Sequence, residues 1–241
     1  MLPTCTCPAH AGLSRRGFLA AGLAATAAPL LLPAGRAFAA DPVASSVTPD
    51  AALTRLLEGN ERYATGKLDP KDFEIGRAAR AVAQHPIAGI VSCADSRVAP
   101  EFIFDQGAGD LFIVRVAGNF VSDDGLASLE YGVAFLGTPL LVVLGHSGCG
   151  AVASAIKVVK DGAVLPGHLP GLIDSVTPAV EAAMKTNPDD LLAASIVENV
   201  KLAMTELVTS RPILASAAAA GKIKVVGGVY DIATGRVTMV A

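Results

Sequence analysis

The sequence has no tryptophan, and among its 241 residues there are only 3 tyrosines and 4 cysteines. So few large polar aromatic side chains argue against a protein built for extensive aromatic recognition. A strong excess of charge is also missing, because the formal net charge is only −3. Nucleic acid is therefore not the expected partner. With 52% hydrophobic residues, the chain has the composition and length of a globular protein with one good core.

The first 39 residues have the features of an export signal. The paired Arg15 and Arg16 precede an apolar run that ends near Leu32, and Ala37-Phe38-Ala39 fits the small-x-small cleavage rule. We interpret residues 1–39 as a twin-arginine signal peptide and residues 40–241 as a single exported domain, which predicts a periplasmic location. The alternative is an uncleaved membrane anchor. Prolines interrupt the apolar run before it reaches the ~20 residues that span a bilayer, so no stable membrane anchor is expected.

Cleavage of this signal would decide which cysteines remain in the mature chain. Cys5 and Cys7 would leave with it, so that Cys93 and Cys149 are the two cysteines of the mature chain. Two cysteines in an oxidising compartment normally suggest one disulfide. A metal ion loaded before export would protect both thiolates instead.

Beyond residue 47, apolar β-favouring runs alternate with helix-like stretches. This pattern predicts an α/β fold with a mostly parallel central sheet flanked by helices, an antiparallel edge strand and an N-terminal helical arm. Strands are predicted at residues 87–92, 111–116, 140–144, 223–230 and 237–240. The first helix is predicted to start at Thr48-Pro49-Asp50, to continue through the apolar periodicity of residues 53–63 and to end at Gly66. Further helices are predicted at residues 126–136, 151–160, 172–185, 191–209 and 213–220.

Two short motifs follow predicted strands. Cys93-Ala-Asp95-Ser-Arg97 comes after the first strand, and His146-Ser-Gly-Cys149-Gly comes after the third. Because ligands bind beyond the carboxyl ends of parallel strands, the two motifs can converge at one edge of the sheet. Two thiolates and one imidazole are ligands that zinc prefers, and three such ligands leave a fourth position for water. Zinc lowers the pKa of bound water towards ~7, which yields hydroxide near neutral pH.

Asp95 has two possible roles. As a fourth zinc ligand its carboxylate would close the site, which is the arrangement of a structural zinc centre. Alternatively, Arg97 holds the same carboxylate in a bidentate pair, and Asp95 then accepts a proton beside an open zinc ion. The spacing of the residues does not choose between a catalytic and a structural zinc site.

The paired motifs Cys-x-Asp-Ser-Arg and His-Ser-x-Cys-Gly resemble those of the β-class carbonic anhydrases. The similarity extends from residues 56–60 to the closing Gly228-Val-Tyr-Asp231 stretch. It implies that Cys93, His146 and Cys149 bind Zn²⁺, and that Asp95 and Arg97 form the catalytic pair beside the water. We also expect Arg115 to support the first motif by hydrogen bonding.

The same resemblance implies a substrate pocket. Gln84 stands where the family has a glutamine that hydrogen-bonds bicarbonate, and Phe112 and Tyr131 match the apolar wall for carbon dioxide. In this family the pocket is shared across a dimer interface, so a homodimer or a dimer-based tetramer is implied. Family members with a regulatory bicarbonate pocket line it with tryptophan. Because this chain has no tryptophan and retains Gln84, we predict the open, water-ligated zinc site.

These features predict zinc-dependent, reversible hydration of carbon dioxide to bicarbonate and a proton by zinc-bound hydroxide. One alternative is a carbonyl sulfide or carbon disulfide hydrolase of the same fold. A zinc-binding protein without turnover is another. A thiol–disulfide protein is less favoured, because Cys93 and Cys149 form no Cys-x-x-Cys pair.

Overall fold

The computed structural model describes residues 46–72 and 74–240. The predicted signal peptide, residues 1–39, lies outside the described part of the chain. The strands are β1 Ala88–Ser92, β2 Leu111–Arg115, β3 Leu140–His146, β4 Lys224–Tyr230 and β5 Val237–Val240. The helices are α1 Pro49–Ala64, α2 Arg77–Val82, α3 Pro100–Ile103, α4 Asp123–Leu136, α5 Gly150–Asp161, α6 Leu169–Asp174, α7 Thr177–Met184, α8 Leu191–Thr209 and α9 Ile213–Ala219.

The five strands form one sheet in the order β2-β1-β3-β4-β5. The pairs β1–β2, β1–β3 and β3–β4 are parallel, and only β4–β5 is antiparallel. The mostly parallel sheet and its antiparallel edge strand are therefore confirmed. Since β1 and β3 are neighbours with Ser92 opposite Leu144, the segments that follow them leave the sheet at the same edge.

Helices cover both faces of the sheet, and this explains why β1 and β3 are apolar without interruption. Ile90 and Val142 point to one face, where Leu56 of α1 packs against them. Val91 and Val143 point to the other face, which α4, α8 and α9 cover through a set of buried residues that includes Leu129, Val200, Leu207 and Leu214. The N-terminal helix thus packs on the sheet of its own chain.

Close contact between α8 and the sheet depends on a glycine in β3. A Cβ at Gly145 would lie 2.7 Å from Cγ2 of Val200, which is too close for two carbon atoms. Gly145 directly precedes His146, so α8 packs tightly behind the end of β3. This packing supports the strand end from which the second motif begins.

The structure corrects the prediction of one helix at residues 172–185. That region forms α6 and α7, with the break at Ser175 and Val176. Pro178 explains the break, because it has no N–H to donate to the carbonyl of Asp174 and is tolerated only in the first turn of a new helix. The sequence analysis also missed α2 and α3. The first buries none of its residues and the second is a single turn, so neither produces an apolar periodicity. No helix in the described ranges is long and apolar enough to span a bilayer.

Candidate zinc site

Cys93, His146 and Cys149, called the ligand group below, come from two neighbouring strand ends. Cys93 directly follows β1, His146 is the last residue of β3, and Cys149 is the N-cap of α5. Gly148 has a φ of 65°, a left-handed conformation that glycine adopts without strain. This turn lets the chain reverse quickly enough for His146 and Cys149 to face the same point.

The ligand atoms of these three side chains all lie within 4.8 Å of one another. Cys93 is 4% exposed, His146 0% and Cys149 1%. Within residues 46–72 and 74–240 no other cluster of histidine, cysteine, aspartate or glutamate side chains meets the same geometric test. The structure thus brings together the three residues that the sequence analysis singled out as zinc ligands.

The state of His146 fits a metal ligand. Its Nδ1 lies 3.0 Å from the carbonyl oxygen of Ser147, so this nitrogen is assigned as the N–H that donates. The other ring nitrogen, Nε2, is then an acceptor, and it is buried with no hydrogen-bond partner among the described residues. A buried acceptor without a partner is costly, and a zinc ion would satisfy it. Two sulfur ligands and one imidazole nitrogen also match the preference of zinc.

The thiol groups of Cys93 and Cys149 interact directly through a hydrogen bond. The pKa of Cys93 is lowered to about 4, chiefly because the Cys149 thiol donates a hydrogen bond to its sulfur. The pKa of Cys149 is raised, chiefly because its thiol donates a hydrogen bond to the Cys93 sulfur and also because Cys149 is buried. One proton therefore leaves the pair readily, whereas the second leaves only when a cation takes its place.

The carboxylate of Asp95 is turned to Arg97. The Nε of Arg97 donates to Oδ1 at 2.9 Å, a terminal nitrogen donates to Oδ2 at 2.6 Å, and its backbone N–H donates to Oδ1 at 3.0 Å. These hydrogen bonds lower the pKa of Asp95 despite its partial burial. Asp95 is not a member of the ligand group. The observed arrangement is thus the bidentate pair, with three side chains left to hold a metal.

Arg115 supports the first motif from β2. Its Nε donates to the carbonyl of Cys93 at 3.0 Å, and a terminal nitrogen donates to the carbonyl of Asp95 at 2.7 Å. One guanidinium group thus fixes the backbone on both sides of Ala94. The expected role of Arg115 matches these contacts.

Of the predicted pocket residues, Gln84 and Tyr131 are exposed and Phe112 is half-buried. Gln84 is exposed ahead of β1, and its side chain makes no hydrogen bond within the part of the chain that the structure describes. Phe112 and Tyr131 do meet, with ring centroids 6.4 Å apart, and Phe135 extends this aromatic cluster at 5.2 Å from Tyr131. Tyr131 is 48% exposed. The three rings form an aromatic cluster at the surface, and its role as the apolar wall of a pocket stays a prediction.

Two residues that contact the site from other elements were missed by the sequence analysis. The N–H of Gly118 donates to Sγ of Cys93 at 3.3 Å, and the side chain of Asn199 donates to the carbonyl of Gly118 at 2.7 Å. A turn at Ala117-Gly118-Asn119 could have been inferred from its residue types. Asn199 is a polar residue on the buried face of α8, which is the signal that could have drawn attention to it.

The fold and the ligand group together define an α/β protein with a mononuclear thiolate–imidazole zinc site. The family model described as "Carbonic anhydrase" matches residues 88–237, which include the ligand group, Asp95 and Arg97 but not Gln84. The chain belongs to the carbonic anhydrase family. Zinc is the metal of the β-class of this family, reversible hydration of carbon dioxide is its function, and the chain is accordingly a carbonate dehydratase.

Curated relatives and solved structures agree with this assignment. The chain is 37% identical to "Carbonic anhydrase 2" of Mycobacterium tuberculosis over 80% of its length and 94% of that protein. It is 38% identical to the carbonic anhydrase of Mycolicibacterium smegmatis over 79% of its length and 93% of that protein. The β-carbonic anhydrase of Coccomyxa, solved with acetazolamide, superposes with a TM-score of 0.61 at 30% identity, covering 78% of this chain and 85% of that one.

Proposed function

We propose that this chain hydrates carbon dioxide at an open zinc site, in which Asp95 is the hydrogen-bond acceptor that orients the attacking water beside the metal. The observation that carries this proposal is the bidentate Asp95–Arg97 pair next to the ligand group. Cys93 and Cys149 would hold the ion through two thiolates, which would balance its formal charge, and His146 would hold it through its imidazole. When bound, zinc supplies a Lewis acid that lowers the pKa of coordinated water to near neutrality.

Asp95 and Arg97 act together in this mechanism. Because the pKa of Asp95 is lowered by the hydrogen bonds from Arg97, its carboxylate stays ionised throughout the neutral range. An ionised carboxylate accepts a hydrogen bond from the attacking water and directs the water's lone pair at the carbon of the substrate. Arg97 also prevents Asp95 from turning towards the ligand group, which would close the site.

Gln84, Phe112 and Tyr131 would form the substrate pocket. The amide of Gln84 donates to the substrate oxygen on which negative charge develops. The aromatic cluster provides an apolar wall that favours uncharged carbon dioxide over water. The contact between Phe112 and Tyr131 supports this assignment.

A second copy of the chain completes the pocket in this proposal, as a homodimer or a dimer-based tetramer. Residues 74–85, called the exposed segment below, leave Ile75 72% and Val82 88% exposed. A six-residue helix that buries none of its residues, such as α2, does not persist in water by itself. Exposed apolar side chains next to Gln84 support an interface at this position. In a C2 dimer the same surface of both copies forms the interface, so the exposed segment of each copy would lie at that interface.

Export through the twin-arginine route to the periplasm is also part of the proposal. The paired Arg15 and Arg16, the apolar run and Ala37-Phe38-Ala39 support it. Replacement of both arginines by lysine should retain the full-length chain in the cytoplasm of the host. Cell fractionation with a signal-specific antibody reads the outcome, and periplasmic delivery of the double variant would contradict this route.

Relative rates on carbon dioxide and on its sulfur analogues test the proposed activity. Zinc-loaded protein should accelerate carbon dioxide hydration in stopped-flow assays between about pH 7 and pH 9, where the ion generates its nucleophile. Faster turnover of carbonyl sulfide or carbon disulfide would favour a hydrolase of the same fold. Stoichiometric zinc without turnover of any of these substrates would leave a zinc-binding protein and overturn the proposal.

A further inference from the structure

A tight turn after β2 touches the ligand group through its backbone. Asn119 donates its N–H to the carbonyl of Val116 at 3.0 Å, and Gly118 has a φ of 87°. These are the features of a type II turn with glycine in its third position. The turn directs the N–H of Gly118 at Sγ of Cys93, 3.3 Å away. One of the zinc ligands therefore accepts a hydrogen bond from this turn.

Asn199 of α8 holds the same turn through its side chain. Its Nδ2 donates to the carbonyl of Gly118 at 2.7 Å in a buried contact between residues 81 positions apart. Asn199 is 4% exposed and lies in the middle of α8. Asparagine is an unfavourable residue within a helix, so its presence here is explained by the contact with the turn and not by helix formation.

Neighbouring side chains leave little room for a side chain at position 118 of this turn. A Cβ at position 118 would lie 3.0 Å from Cγ2 of Val176 and 3.2 Å from Cβ of Ala151. Gly118 therefore has no side chain with which to fix its orientation. The two polar groups of Gly118 are its N–H, used by Cys93, and its carbonyl, used by Asn199.

We infer that Asn199 is a positioning residue for the zinc ligand Cys93 and acts on it through Gly118. This inference rests on the zinc site of the proposed function. By holding the carbonyl of Gly118, Asn199 prevents rotation of the turn and keeps the Gly118 N–H aimed at the sulfur. A hydrogen bond to a thiolate is charge-assisted. It orients the sulfur and withdraws part of its negative charge, as outer-shell groups do at other metal sites.

Asn199→Leu tests this role, because leucine has the same branched shape as asparagine and no donor. We expect the zinc affinity, measured by competition with a chelator, to fall about 10-fold. We also expect the sulfur-to-metal charge-transfer absorption of the cobalt-loaded protein to shift in energy, because the thiolate has lost a hydrogen bond. Asn199→Ala leaves room for a water molecule to bind the Gly118 carbonyl and should change both readouts less. If Asn199→Leu is insoluble, Asn199→Ala decides the question.

Two variants in the same helix are the controls. Ser195 is also fully buried, and its hydroxyl has no partner among the described residues, so Ser195→Ala should leave both readouts unchanged. Leu207→Ala removes core packing from the same helix, and it should lower thermal stability without shifting the cobalt absorption.

The inference is overturned if the Asn199 variants retain the affinity and the absorption of the wild type, or if Leu207→Ala shifts both equally. A wild-type protein without any sulfur-to-cobalt absorption would instead overturn the zinc site itself, and the inference with it.

Discussion

The ligand group and the exposed segment differ in burial. The ligand group is enclosed by its own chain, whereas the exposed segment lies largely in solvent. Cys93, His146 and Cys149 are buried, converge within 4.8 Å and are supported by Arg115 and Gly118. The exposed segment, residues 74–85, carries Gln84 and presents Val82 with 88% of its surface exposed. A single chain thus brings the three candidate metal ligands together, whereas the pocket beside them is proposed to need a second chain.

Loss of a metal ligand is expected to have the largest effect. Cys149→Ser replaces a thiolate by a hydroxyl that zinc binds poorly, so the bound zinc should fall from about one ion per chain to nearly none. Carbon dioxide hydration should fall to the uncatalysed rate. Metal analysis by mass spectrometry and a stopped-flow assay on the same sample measure both effects. Retention of zinc together with activity would exclude Cys149 as a ligand.

Asp95→Asn should separate metal binding from turnover. Asparagine lacks the negative charge with which the carboxylate orients the attacking water, so turnover should fall by about 100- to 10,000-fold while zinc stays bound. Asp174→Asn, on the exposed surface of α6, is the matched control and should retain full activity. Loss of zinc from Asp95→Asn would show instead that Asp95 belongs to the metal ligands.

Disruption of the exposed segment should affect the pocket but not the metal. Val82→Glu places a charge on the proposed interface, so the protein should dissociate in analytical ultracentrifugation and lose about 10- to 100-fold in activity. Its zinc content should remain that of the wild type. Val164→Glu is the control, because Val164 is 94% exposed on the loop between α5 and α6. Unchanged mass and activity in Val82→Glu would place the interface elsewhere.

A change of one pH unit should have the smallest of these effects, and it should act on the affinity for zinc. The pKa of Cys93 is lowered to about 4, whereas that of Cys149 is raised, so the pair carries one proton that must leave when zinc binds. Affinity should therefore increase with rising pH, by about tenfold per pH unit near neutrality. Competition with a chelator at several pH values measures the slope. A flat profile would mean that both thiols are already ionised.

Part of the fold and of the zinc site was predictable from the sequence. The apolar runs of β1 and β3 predicted a parallel sheet buried on both faces, and the motifs after them predicted a common edge for Cys93 and His146. Asn199 could not be placed in the same way, because 81 residues separate it from Gly118 and its role depends on how α8 packs on the sheet. The apolar periodicity continues through residues 172–185. Predicting the break at Ser175 and Val176 would have required giving Pro178 more weight than this periodicity.

Complementation between two inactive variants tests the central claim most directly. One chain carries Cys149→Ser and keeps an intact pocket, while the other carries Gln84→Ala with Tyr131→Ala and keeps an intact ligand group. Each is co-expressed with a different affinity tag so that mixed dimers can be isolated. If the pocket is completed across the interface, a mixed dimer contains one intact site and should recover about half of the wild-type rate. Mixed dimers as inactive as their parents would contradict the account.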